Sequence, residues 1–185
     1  MSVGAVAICA STGGPSVVED ILRELPADYP LPVLIVQHIA QGFGPGFARM
    51  LDGRIPLAVA VAEHGAIARR GVWIAPDDAD LTVGSALRMR LERDVPPVGP
   101  RPSADALLNS LARALGARAV AVVLTGMGRD GGKGTAAVKA AGGLTFAQDE
   151  DSSAIYGMPR AAAEAGARSL TPDRIAAMLR DLPFR

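Results

Sequence analysis

Six apolar runs of strand length punctuate the chain, at Val3–Cys9, Leu31–Gln37, Leu57–Val61, Val72–Ala75, Ala119–Leu124 and Leu144–Gln148. Their near-continuous Val, Ile, Leu and Ala content suits strands buried on both faces, the condition of a parallel sheet sandwiched between helices. Helical spacing alternates with them. Pro15 stands where a first helical turn tolerates proline, and Val17, Val18, Ile21, Leu22 and Leu25 recur at three- and four-residue intervals until Pro26 ends the run. Asp105–Leu115 reads as a helix closed by Gly116, and Gly131–Ala141 as one closed by Gly142 and Gly143. Pro159–Ala165 and Pro172–Leu182 complete the helical segments.

Alternating strands and helices imply right-handed crossovers. The fold class expected is therefore α/β: a doubly wound, mostly parallel sheet in three αβα layers, Rossmann-like in outline. One segment departs from it. Leu81–Val83 and Leu87–Leu91 are separated only by Gly84, Ser85 and Ala86, which reads as an antiparallel β-hairpin appended to the parallel sheet. The proline-rich stretch VPPVGPRPSADAL, residues 95–107, then leads into a helix. No repeat and no linker divides the 185 residues, so a single domain is expected. Apolar residues make up 49% and aromatics only 4%, which favours close packing of small aliphatic side chains.

Lys+Arg and Asp+Glu balance at 19 each, giving no electrostatic ground for nucleic acid or an anionic membrane as the main partner. Val3–Ala10, the longest apolar run, is far short of the roughly 20 residues that span a bilayer. The single cysteine, Cys9, provides no internal disulfide framework. A cytoplasmic location is the expectation.

Open α/β sheets bind ligands beyond the carboxyl ends of their strands. Three polar residues fall there: Ser11 after the first strand, His38 closing the second, and Asp130 after the strand that begins at Ala119. A serine hydroxyl is a weak nucleophile alone; a neutral imidazole can take its proton, and a carboxylate can orient that imidazole. Each has a plainer reading as well. Ser11 and Asp130 both precede helical segments and could be N-caps, and His38 could simply end a strand. Cys9, within an apolar strand, reads as a small buried residue rather than a nucleophile.

A rival constellation lies nearby. Gly126, Gly128 and Gly131 satisfy G-x-G-x-x-G between a strand and a helix, and Asp149 or Glu150 follows at about the separation of a ribose-binding acid. A dinucleotide-binding oxidoreductase is therefore the alternative. It would place the Asp130 carboxylate in the loop that must receive a pyrophosphate, and would leave Ser11 and His38 without roles. Lys133 in GGKGT lacks the flanking residues of a phosphate loop. Asp77, Asp78 and Asp80 suggest a metal only weakly, and His64 reads as a surface loop histidine.

In order along the chain, ASTGGP, VQHIAQGFGPGFARML, WIAPDDADLTV, RPSADALLNSLA, LTGMGRDGGKG and YGMPRAA resemble the catalytic domain of the chemotaxis protein-glutamate methylesterases, the CheB family. That resemblance implies Ser11 as nucleophile, His38 as general base and Asp130 as its orienting acid. It places Thr12 and Met127 beside the reacting carbonyl, forming or supporting the oxyanion site. The implied substrates are glutamate methyl esters on the methylated cytoplasmic helices of chemoreceptors, yielding glutamate and methanol without metal or organic cofactor; related enzymes also deamidate receptor glutamines. Family members often carry an N-terminal receiver domain. This sequence opens on what reads as the first catalytic-domain strand, so one methylesterase catalytic domain over residues 1–185, with no receiver domain in the chain, is expected. A catalytically silent receptor-binding module is the remaining alternative.

Overall fold

The computed structural model describes residues 3–93 and 99–183. Residues 95–98 of the proline-rich stretch lie outside the described residues. Along the chain run β1 (Ala5–Ala10), α1 (Gly14–Arg23), β2 (Pro32–Gln37), α2 (Gly44–Asp52), β3 (Val59–Val61), β4 (Gly71–Ile74), β5 (Asp80–Val83) and β6 (Met89–Glu92). They are followed by α3 (Ala104–Leu115), β7 (Ala119–Val123), α4 (Gly132–Ala140), β8 (Leu144–Gln148), α5 (Met158–Glu164), β9 (Arg168–Leu170) and α6 (Pro172–Arg180).

Seven strands form one sheet in the order β3-β4-β2-β1-β7-β8-β9, and every pairing in it is parallel. β1 lies at the centre, with Ile8 opposite Ile35 of β2 and Val122 of β7. The chain winds outward from β1 through β2, then returns to the other side of β1 as β7. Such a reversal opens a crevice at the carboxyl ends of the flanking strands.

Strand periodicity sorts the core into two faces. Val6, Ile8, Val33, Ile35, Val120 and Val122 pack on the side covered by α1, α2 and α6. Ala5, Ala7, Cys9, Ala119 and Ala121 face the side covered by α3, α4 and α5. The second set is mostly alanine, so helices can lie close to the sheet there.

Three features differ from the sequence reading. α2 was not anticipated, because its first turn is written GPG, yet Phe47, Ala48 and Leu51 share a buried stripe. β9 is a three-residue edge strand of which only Leu170 is buried. The expected antiparallel hairpin is present as its own two-stranded sheet beside the parallel one, but with a shorter second strand. Its second strand starts at Met89, since Ala86 and Leu87 take positive φ in a 3₁₀ turn instead of extended backbone. The Ser110 hydroxyl on α3 accepts a hydrogen bond from the Val83 N–H at 2.9 Å, anchoring the hairpin to that helix.

Candidate active site

Ser11, His38 and Asp130 follow β1, β2 and β7, which are adjacent in the sheet. The Ala10–Gln37 pairing at the end of β1 and β2 sets Ser11 and His38 one residue beyond, on neighbouring strand ends. Ser11 sits at a tight strand-to-helix turn. Its N–H donates to the Thr125 carbonyl, and its own carbonyl accepts from the Gly14 N–H at 2.8 Å. The helix-cap reading of Ser11 does not hold: the N-cap position of α1 is Gly13, at φ +80°, and no side chain caps it. Gly126 makes the turn possible from the other side. A Cβ there would stand 2.7 Å from Ser11 Cβ and 2.5 Å from Met158 Sδ, so only glycine lets the two loops approach.

His38 is oriented by Asp130. Nε2 lies 2.9 Å from Asp130 Oδ2, with the two side chains 13% and 7% exposed. A carboxylate only accepts hydrogen bonds, so Nε2 carries the proton and the Nδ1 lone pair is left free. The carboxylate also accepts from the N–H groups of Ala104, at 2.7 Å, and Asp105, at 2.9 Å, and from Ser103 Oγ at 3.3 Å. Asp130 therefore faces the positive end of α3 rather than capping the helix that follows it. Burial pushes its pKa up, but the bonds from His38, Asp105 and Ala104 outweigh burial and hold it below the ordinary value. This favours a charged acceptor beside the imidazole.

The acidic residues near the hairpin support this arrangement from behind. Asp80 accepts from the Ser103 N–H at 2.8 Å and pairs with Arg101, fixing the start of α3. Asp77 accepts from the N–H groups of Gly42 and Gly44, holding the loop that carries His38. Asp78 pairs with Arg93 at the surface. Among the described residues no cluster of His, Cys, Asp and Glu could hold a metal ion. His64 Nδ1 accepts from the Leu91 N–H, a tie between its turn and the hairpin.

The dinucleotide reading fails at α4. The N–H groups of Gly131 and Gly134, which a pyrophosphate would need, both donate to the Asp105 carboxylate, at 3.0 and 2.7 Å. Asp149 binds Ser152 in its own loop. Cys9 is fully buried; burial, and then the charges of Asp130 and Asp105, push its thiol far up, so it is no nucleophile.

Thr12 is exposed, and Met127 is 71% exposed. Neither residue's N–H donates a hydrogen bond among the described residues. Ser11 Oγ likewise has no hydrogen-bond partner among them, and the bond between it and His38 is not formed in this structure. Catalytic hydrogen bonds often close only when substrate is bound. Missed by the sequence reading were the residues holding the framework: Gln37, Ser103, Asp105 and Thr125. Of these only Ser103, in PSADAL before a helix, carried a local signal, that of an N-cap.

A hydroxyl at a sharp turn, an imidazole oriented by a buried carboxylate, and unused backbone donors on an α/β sheet together define a hydrolase-type site, capable of acyl transfer through serine. Comparison with known proteins agrees. The CheB methylesterase family profile matches residues 6–179, and the chain belongs to that family. It is 47% identical over 165 residues to the protein-glutamate methylesterase/protein-glutamine glutaminase of group 3 operon from Rhizobium meliloti (strain 1021), covering 89% of this chain and 47% of that protein. It is 50% identical over 157 residues to protein-glutamate methylesterase/protein-glutamine glutaminase 4 of Myxococcus xanthus (strain DK1622), covering 84% and 44%. The chain thus spans about half the length of the curated relatives it matches. The crystal structure of the Thermotoga maritima CheB methylesterase catalytic domain superimposes with a TM-score of 0.92 at 35% identity, covering 98% of this chain and 99% of that one.

Proposed function

We propose that the chain hydrolyses glutamate methyl esters on the cytoplasmic helices of chemoreceptors, acting in the cytoplasm as a protein-glutamate methylesterase. The observation that carries this reading is the shielded His38–Asp130 hydrogen bond of 2.9 Å one strand away from Ser11, in a chain of this family.

In the proposed cycle, Ser11 Oγ attacks the ester carbonyl carbon while His38 Nδ1 takes the hydroxyl proton. Asp130 stabilises the resulting imidazolium. The oxyanion is received by backbone donors at the turn, for which the unbonded N–H groups of Thr12 and Met127 are available. Collapse breaks the bond to the methoxy group, which leaves as methanol with the proton from His38. Water then attacks the acyl-serine, passing a proton to His38, and collapse returns that proton to Ser11 Oγ and frees the glutamate. A glutamine side chain can enter the same cycle with ammonia as the leaving group, matching the glutaminase half of the names of the relatives above.

The substrate class is tested with a purified chemoreceptor cytoplasmic fragment carrying methylated glutamates, followed by methanol release and by the intact mass of the fragment. The reading expects methyl groups to be lost from the fragment in proportion to methanol formed. A fragment that keeps its esters in the presence of folded protein would overturn it.

A further inference from the structure

Gln37 is the last residue of β2 and is 3% exposed. Its Nε2 donates to two carbonyls, that of Ser11 at 2.8 Å and that of His38 at 3.0 Å. One amide thus spans the two loops that carry the proposed nucleophile and base. The Ser11 carbonyl shares a planar peptide with the Thr12 N–H, so holding the oxygen also aims that unbonded donor. The amide's other end is buried without a hydrogen-bond partner among the described residues: Oε1 lies 2.5 Å from the place a Cβ on Gly14 would occupy. Flipping the amide would set Oε1 against two carbonyl oxygens, so its orientation is fixed. An unsatisfied buried oxygen is unfavourable, and methionine would fill similar space without one. The two bonds that Nε2 donates offset that cost, and both fall on the loops that carry Ser11 and His38.

We infer that Gln37 is a positioning residue, clamping the Ser11–Thr12 peptide and the His38 backbone so that Ser11 Oγ, His38 Nδ1 and the Thr12 N–H converge on one carbonyl. This rests on the reading of Ser11 as nucleophile. Gln37 itself touches neither substrate nor reacting atoms. Its loss therefore slows chemistry and leaves binding alone, whereas general loosening of the fold would disturb both.

The test uses a small alkyl fluorophosphonate, which needs no receptor. Ser11 Oγ forms the bond to phosphorus, fluoride leaves, and His38 takes the proton. Labelling is followed by intact mass, separating the maximal rate of inactivation from the reagent concentration giving half that rate. Gln37→Met should lower the maximal rate about 10- to 100-fold, the penalty of a small misplacement, with the half-saturating concentration unchanged. Gln37→Asn, which keeps the amide but cannot reach both carbonyls, should fall likewise and serves if the methionine variant does not fold. Tyr29→Phe, which loses the buried hydrogen bond from its hydroxyl to the Leu179 carbonyl on the α6 side of the sheet, should label like wild type. A wild-type maximal rate in either folded Gln37 variant, or an equal loss in Tyr29→Phe, would overturn the clamp while leaving the nucleophile reading standing. Wild type that takes no label at Ser11 would overturn both.

Discussion

Four donors converge on the Asp130 carboxylate, two on each oxygen: His38 Nε2 and the Ala104 N–H on Oδ2, the Asp105 N–H and Ser103 Oγ on Oδ1. An asparagine amide cannot satisfy them, because its NH₂ would face donors on whichever side it took. Asp130→Asn is therefore expected to lose the required His38 tautomer and about 10³- to 10⁴-fold in turnover while keeping a native circular dichroism spectrum. Turnover near that of wild type would count against the orienting role. The same geometry has a stability consequence. Since the folded-state pKa of Asp130 lies below its ordinary value of 3.8, its contribution is present above that value and is lost as pH falls through the lowered one. Urea titrations at decreasing pH should show this acid-limb loss in wild type and not in Asp130→Asn. Ser11, His38 and Asp130 were legible in the sequence because each follows an apolar run that announces a strand end. Asp80 and Gln37 were not, and Ser103 was legible only as an N-cap, because their partners at the site are fixed by the meeting of separate elements and leave no periodic trace.

Helices α3 and α4 exchange their N-terminal acceptors. Asp130, just before α4, receives the N–H groups of Ala104 and Asp105, while Asp105 of α3 receives those of Gly131 and Gly134. Each carboxylate satisfies donors that would otherwise be stranded at a buried helix end. Burial chiefly, with the neighbouring Asp130 charge, raises the Asp105 pKa against the opposing pull of the Gly134 and Gly131 N–H groups. Asp105→Ala should lose about 1–2 kcal/mol in urea denaturation. Asp105→Asn, which keeps an acceptor and drops a charge the fold disfavours, should match or exceed wild type at neutral pH. An alanine variant as stable as wild type would show that this exchange is not stabilising. Elements were legible to unequal degrees. Long buried strands such as β1 and β7 stood out as apolar runs. The hairpin was recognisable from two short runs around Gly84, but the positive-φ turn at Ala86 and Leu87 that delays its second strand was not. α2 was obscured by the glycines of GFGPGF, and β9 by having a single buried side chain.

At the scale of the whole molecule, the winding order puts β1 between β2 and β7, so the loops that carry residues 11, 38 and 130 lie along one sheet edge although they are far apart in the chain. The alternation of strands and helices made the fold class readable; strand order was not readable from periodicity, which records burial but not neighbours. The hairpin has a place in this assembly: Asp80 holds Ser103, Ser103 and its helix hold Asp130, and Asp130 holds His38. If this framework serves hydrolysis through Ser11, methanol release from a methylated receptor fragment, compared between wild type and Ser11→Ala at matched concentration and verified folding, should be steady in wild type and lower by several orders of magnitude in Ser11→Ala. Release at the wild-type rate by a folded Ser11→Ala protein would contradict hydrolysis through Ser11.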